Sequence, residues 1–150
     1  MTAEPVLASV HVDAAPSLVY EYFTRPEAIV RWMGDYALLE PEPDGQFTID
    51  VRGAPIRGRF LELSPPHRLL ITWGFAGSDR LPPGGSTVEI RLIAEGGGTR
   101  VELEHRDLPP EEVSGHTRGW EHYLARLTIA GTGRNAGPDP GMSNPSSRTQ

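Results

Sequence analysis

The sequence predicts an α+β domain: a curved antiparallel sheet of about six to seven strands wrapped on a long C-terminal helix, with two short helices after the first strand. Three observations carry this. From Tyr36 to Arg106, short segments alternate apolar and polar residues and are joined by Gly-, Pro- and Asp-rich turns. Connections that short make antiparallel hairpins, because a parallel crossover needs about a dozen residues. Between Pro109 and Ala130, Val113, His116, Trp120, Tyr123, Leu124 and Leu127 recur every three or four positions, the apolar stripe of an amphipathic helix. The strands have one apolar and one charged face, so the apolar face needs a cover, and the striped helix supplies one.

Val6 to Val12 reads as the first strand. Pro16 then suits the first turn of a helix, where its missing N–H is no loss, and Leu18, Val19, Tyr22 and Phe23 keep helical spacing up to Thr24. Pro26 opens a second short helix through Trp32, ended by Gly34. The predicted strands that follow are Ala37–Glu40, Gln46–Arg52, Ile56–Leu63, Leu69–Phe75, Thr87–Ala94 and Thr99–Arg106, with residues 76–86 as the one long loop. Parity places Phe47, Ile56, Phe60, Trp73, Phe75, Leu103 and His105 inward. It places Arg57, Arg59 and Arg91 outward, where cross-strand ion pairs with Glu62, Glu89 or Glu102 are expected. Asp107 is the expected N-cap of the last helix, and Gly131 its C-cap. Residues 1–130 are thus read as one domain. Residues 131–150, rich in Gly, Pro, Ser, Asn and Arg, are read as a disordered tail that buries too little apolar surface to offset ordering.

The formal net charge of −6 argues against nucleic-acid binding and against docking on anionic membranes. The absence of cysteine excludes disulfides and thiolate metal or redox sites. No apolar run of about 18 residues and no signal peptide are read, so a cytoplasmic protein without a membrane span is expected. All 14 basic residues are arginine. The histidines, at 11, 67, 105, 116 and 122, form no metal-ligand pattern. No phosphate loop and no nucleophile elbow is present, so no metal and no cofactor are expected.

The motifs together resemble a known family. Ala14-Ala15-Pro16 with Leu18, Val19 and Tyr20, then Pro26-Glu27 with Arg31-Trp32, resemble the opening strand and short helices of the activator-of-Hsp90-ATPase-homologue type (AHSA1-type) within the START-like (SRPBCC) superfamily. Asp44-Gly45, the run Ile56 to Leu63, Pro65-Pro66-His67-Arg68-Leu69 and Thr72-Trp73 resemble its central meander. Gly119-Trp120 with Tyr123-Leu124 and Leu127 resembles its last-helix signature, so that residues 6–129 are covered. The resemblance implies the helix-grip fold, also found in birch-allergen-like proteins and polyketide cyclases, with a cavity between sheet and last helix. It implies no single reaction.

The residues expected to line that cavity are Trp32, Phe47, Phe60, Trp73, Phe75, Leu103, His105, His116, Trp120 and Tyr123. Gly58, at inward parity, is read as leaving space. His105, His116 and Tyr123 are the polar groups able to meet a ligand, although an interior histidine is also a common structural residue. The first reading is a binding module for a small hydrophobic or aromatic molecule such as a lipid or polyketide, without catalysis. The alternatives are a cyclase- or dehydratase-like enzyme using a cavity His or Tyr, and a protein-interaction or chaperone-associated module, homodimerisation included.

Overall fold

The computed structural model describes residues 4–140; of the expected tail, residues 141–150 lie outside the described residues. The elements are β1 (Val6–Val12), α1 (Pro16–Thr24), α2 (Pro26–Ile29), β2 (Tyr36–Leu39), β3 (Gln46–Val51), β4 (Ala54–Ser64), β5 (Arg68–Phe75), β6 (Ser86–Glu95), β7 (Gly98–Arg106) and α3 (Pro110–Ala130). The seven strands form one antiparallel sheet in the order β1-β7-β6-β5-β4-β3-β2. Every neighbour in the run β2 to β7 is consecutive in sequence, as hairpin connections require, and β1 closes against β7 from the far end.

Two hairpins turn on paired left-handed residues. Arg52 and Gly53 have φ of 50° and 85°, and Gly96 and Gly97 have 57° and 82°, the two-residue loop whose twist matches that of the strands. Alternation holds along β6 and β7: Val88, Ile90, Leu92, Val101, Leu103 and His105 are buried. The opposite face carries an ion-pair lattice centred on Glu89, which meets Arg68 at 2.8 Å, Arg106 at 2.9 Å and Arg91 at 3.3 Å. Hydrogen bonds from Arg68 and Arg106 hold the Glu89 carboxyl down at about 2. Of the expected pairings, Arg91 meets Glu89 and Glu102, whereas Arg57 turns to Asp50 and Arg59 to Asp44.

The helix stripe is buried over its C-terminal half, through Trp120, Tyr123, Leu124, Leu127 and Ala130, where α3 runs along β1. Asp107 is not the N-cap. It takes φ of 67° in the connection, and Pro109 occupies the cap position without a side-chain hydrogen bond. The loop after β5 folds tightly back on the sheet: Leu81 is buried, and Pro82 lies against Gly74.

Gly58 does not leave space. A β-carbon there would sit 1.8 Å from the Thr72 carbonyl oxygen, so glycine permits β4 to close on β5 beside the register shift between Phe60 and Glu62. Gly58→Ala is expected to cost about 2 kcal/mol or more, the scale of a forced overpacking, read as a lower denaturation midpoint at unchanged slope.

From Gly131 to Pro140, the described part of the expected tail, backbone carbonyls meet side chains of the domain. Arg126 Nη2 donates to the Gly137 carbonyl at 2.8 Å and Nη1 to that of Ala136 at 3.4 Å, while Arg126 Nε donates to Trp32 O at 3.1 Å. These contacts go to backbone carbonyls, which every residue carries and which composition does not reveal.

Candidate functional site

Under the N-terminal half of α3 lies a cavity of about 360 Å³. Two features of the sequence create it. The helix carries Gly115 and Gly119, one turn apart, on the side that faces the sheet, so no side chain fills the gap there. A β-carbon added at Gly115 would meet nothing within 4 Å. Opposite, the β3–β4 hairpin brings Val51, Ala54 and Ile56 to the wall, with exposed Arg52 at the rim. The end of β5 supplies Trp73 and Phe75, and Met33 closes one side.

Of the expected lining residues, Trp73, Phe75, His116, Trp120 and Tyr123 stand on the cavity wall. Trp32, Phe47, Phe60, Leu103 and His105 are packed behind it. Trp32 is drawn under the first helices, where its ring meets Phe23 edge-on at 5.2 Å and its Nε1 donates to the Tyr22 carbonyl at 2.9 Å. Phe47 and Phe60 pack on one another at 5.5 Å. Parity alone does not distinguish a residue in the first layer of a core from one in the second. The wall residues not foreseen from sequence are Met33, Val51, Arg52, Ala54, Ile56, Glu112, Gly115 and Gly119. The readable signal was the pair of glycines four apart in a helix, each costing about 1 kcal/mol of helix propensity relative to alanine.

The two histidines belong to one network with the two tryptophans. Trp120 Nε1 donates to His105 Nδ1 at 3.0 Å. Indole nitrogen is a donor only, so the His105 proton must sit on Nε2. There it donates to Ser86 Oγ at 2.8 Å, and Ser86 in turn donates to the Trp73 carbonyl, also at 2.8 Å. His116 takes the other tautomer. Its Nδ1 donates to the Glu112 carbonyl at 2.9 Å, and its Nε2 accepts from Trp73 Nε1 at 3.3 Å. The imidazoles stand edge to face, 5.0 Å apart, and the indoles are also 5.0 Å apart.

Both imidazoles are neutral here. Burial, and secondarily His116, push His105 down to about 2. Burial lowers His116 as well, against an opposing pull from the Glu112 carbonyl and carboxylate. Each of the four ring nitrogens already has a partner, so neither histidine presents an uncommitted acid or base to the cavity.

The polar groups at the rim are different. Glu112 pairs with Arg80 at 3.2 Å. The Tyr123 hydroxyl donates to Asp139 Oδ2 at 2.6 Å; burial first, then this bond, raise it above the usual tyrosine range. Among the described residues no three His, Asp or Glu side chains assemble as metal ligands would, and no helix is long and apolar enough to cross a membrane.

A curved sheet gripping one helix, with an aromatic cavity beneath that helix, defines a helix-grip protein of the START-like kind. The family model described as activator of Hsp90 ATPase homolog 1-like protein matches residues 13–130, and the chain belongs to this family. An AHSA1-like protein from Rhizobium etli is 46% identical, with 96% of this chain and 91% of that one aligned at a TM-score of 0.75. DynU16, a protein in the dynemicin biosynthetic locus, is 23% identical at a TM-score of 0.78 over 91% of this chain and 51% of its own. An HSP90 activator from Plasmodium falciparum is 21% identical at a TM-score of 0.71 over 85% and 96%. The last two likenesses are of fold alone. Among curated proteins, none matches this chain in sequence.

Proposed function

We propose that this chain is a binding module that holds a small hydrophobic or aromatic molecule in the cavity beneath α3. The observation that carries the reading is the pairing of an open, aromatic-walled cavity with histidines whose nitrogens are all engaged within the protein. A volume of about 360 Å³ lies in the range of small-molecule pockets, which are apolar with a few placed polar groups. A cyclase-like reaction would need one imidazole to exchange protons with the ligand, and here that means breaking a buried hydrogen bond first. That weighs towards holding a ligand rather than transforming it.

The test uses the glycine that opens the site. Gly115→Leu puts a side chain into empty space and removes a helix-interior glycine. We expect the variant to be as stable as the parent or about 0.5–1 kcal/mol more stable, and to bind nothing. The parent is screened with lipids and aromatic metabolites by thermal shift and by the fluorescence of Trp73 and Trp120. A ligand at 100 times its dissociation constant adds about 2.7 kcal/mol of stability. Hits that survive Gly115→Leu at full affinity place the ligand elsewhere and refute the reading.

A further inference from the structure

We infer that the rim of the cavity is a carboxylate site, which Asp139 occupies in this structure in place of the carboxylate of an apolar acid. The inference rests on the binding-module reading and names the ligand class of that same cavity. The Asp139 carboxylate is held by the Tyr123 hydroxyl at 2.6 Å and lies 2.9 Å from His122 Nε2. Arg52 Nη1 donates to the carbonyl of the same residue at 2.9 Å. Tyr123 and Arg52 are both cavity-wall residues, so a carboxylate is already recognised where the apolar wall ends.

The surrounding charge is suited to more than Asp139. Arg52 and Arg126 both donate to backbone carbonyls between residues 136 and 139, Arg126 also to that of Trp32. A guanidinium gains more from a carboxylate than from a neutral carbonyl, most of all in a bidentate pair. The segment that delivers Asp139, residues 135–140, has no apolar side chain larger than proline. Little buried apolar area therefore opposes its displacement. An acid whose apolar body fills the cavity would place its headgroup at Tyr123 and Arg52, with the 135–140 segment giving way.

The experiment compares matched probes by calorimetry and tryptophan fluorescence: decanoic acid with decanol, and naphthalene-2-acetic acid with 2-(2-naphthyl)ethanol. Asp139→Ala is expected to tighten binding of an acid by about tenfold, the scale of one charge-assisted hydrogen bond, and to leave its alcohol unchanged. Arg52→Gln is expected to remove the preference for acid over alcohol. Equal affinity for acid and alcohol in all variants, or weaker acid binding in Asp139→Ala, overturns the carboxylate site and leaves the apolar pocket standing. If no probe of either pair binds, and Gly115→Leu changes nothing, the pocket reading and this inference fall together.

Discussion

Replacing Trp120 with alanine is expected to lower the unfolding free energy by about 3–5 kcal/mol, a large part of the 5–15 kcal/mol that a domain of this size typically has. The indole is almost wholly buried and packs 5.0 Å from Trp73. It is also the only donor to His105 Nδ1 among the described residues. Truncation therefore removes a large apolar body and orphans a buried acceptor, which by itself costs about 1–3 kcal/mol. The cavity beside it moderates the second loss, because water entering the enlarged space can reach that nitrogen. Urea denaturation followed by circular dichroism measures the sum.

Trp120→Phe separates the two contributions. Phenylalanine keeps most of the packing and none of the donation, so a cost of about 1–2 kcal/mol is expected. If phenylalanine is tolerated without loss, the bond to His105 contributes nothing and the network is not a stabilising one. If alanine costs under about 1 kcal/mol, α3 is not anchored through this indole.

The contrast between these residues and Trp32 shows what the sequence carries. Alternation and helical spacing are local periodicities, and they place Trp73, His105, His116 and Trp120 on facing surfaces with the right parity. The order from β2 to β7 follows from the short connections, whereas the pairing of β1 with β7 across the length of the chain has no such signal. Periodicity does not encode depth. Trp32, Phe47 and Phe60 point inward as expected, yet they fill the interior, while the open volume lies under the N-terminal half of α3. That volume is set by what is missing from Gly115 and Gly119, and an absence of side chain carries no hydrophobic signal. The contacts of the segment to Pro140 are illegible for a related reason: they run from Arg126 to backbone carbonyls, and every residue has a carbonyl.

Acidification is expected to weaken the fold well above the pH at which carboxylates titrate. In the unfolded chain His105 takes up a proton near pH 6.5; in the native state it does so only at about 2. Above about 6.5 neither state is protonated and the stability is fully present. Below it the unfolded chain binds a proton that the folded one refuses, so stability falls by about 1.4 kcal/mol per pH unit from this residue. At pH 5 the loss is about 2 kcal/mol. His116, lowered by burial, acts in the same direction, and the Glu112 carbonyl and carboxylate that face it reduce its share. Glu89 belongs to a separate window, since its stabilising contribution is lost only between about 4.5 and 2. Denaturation curves at pH 7.5 and 5.0 isolate the histidines. His105→Gln keeps an acceptor for Trp120 and a donor for Ser86 but does not titrate, so it should flatten most of the slope. A parent whose stability is level across this range, or a variant with the parent's slope, would mean that burial of His105 does not hold it neutral in the folded protein.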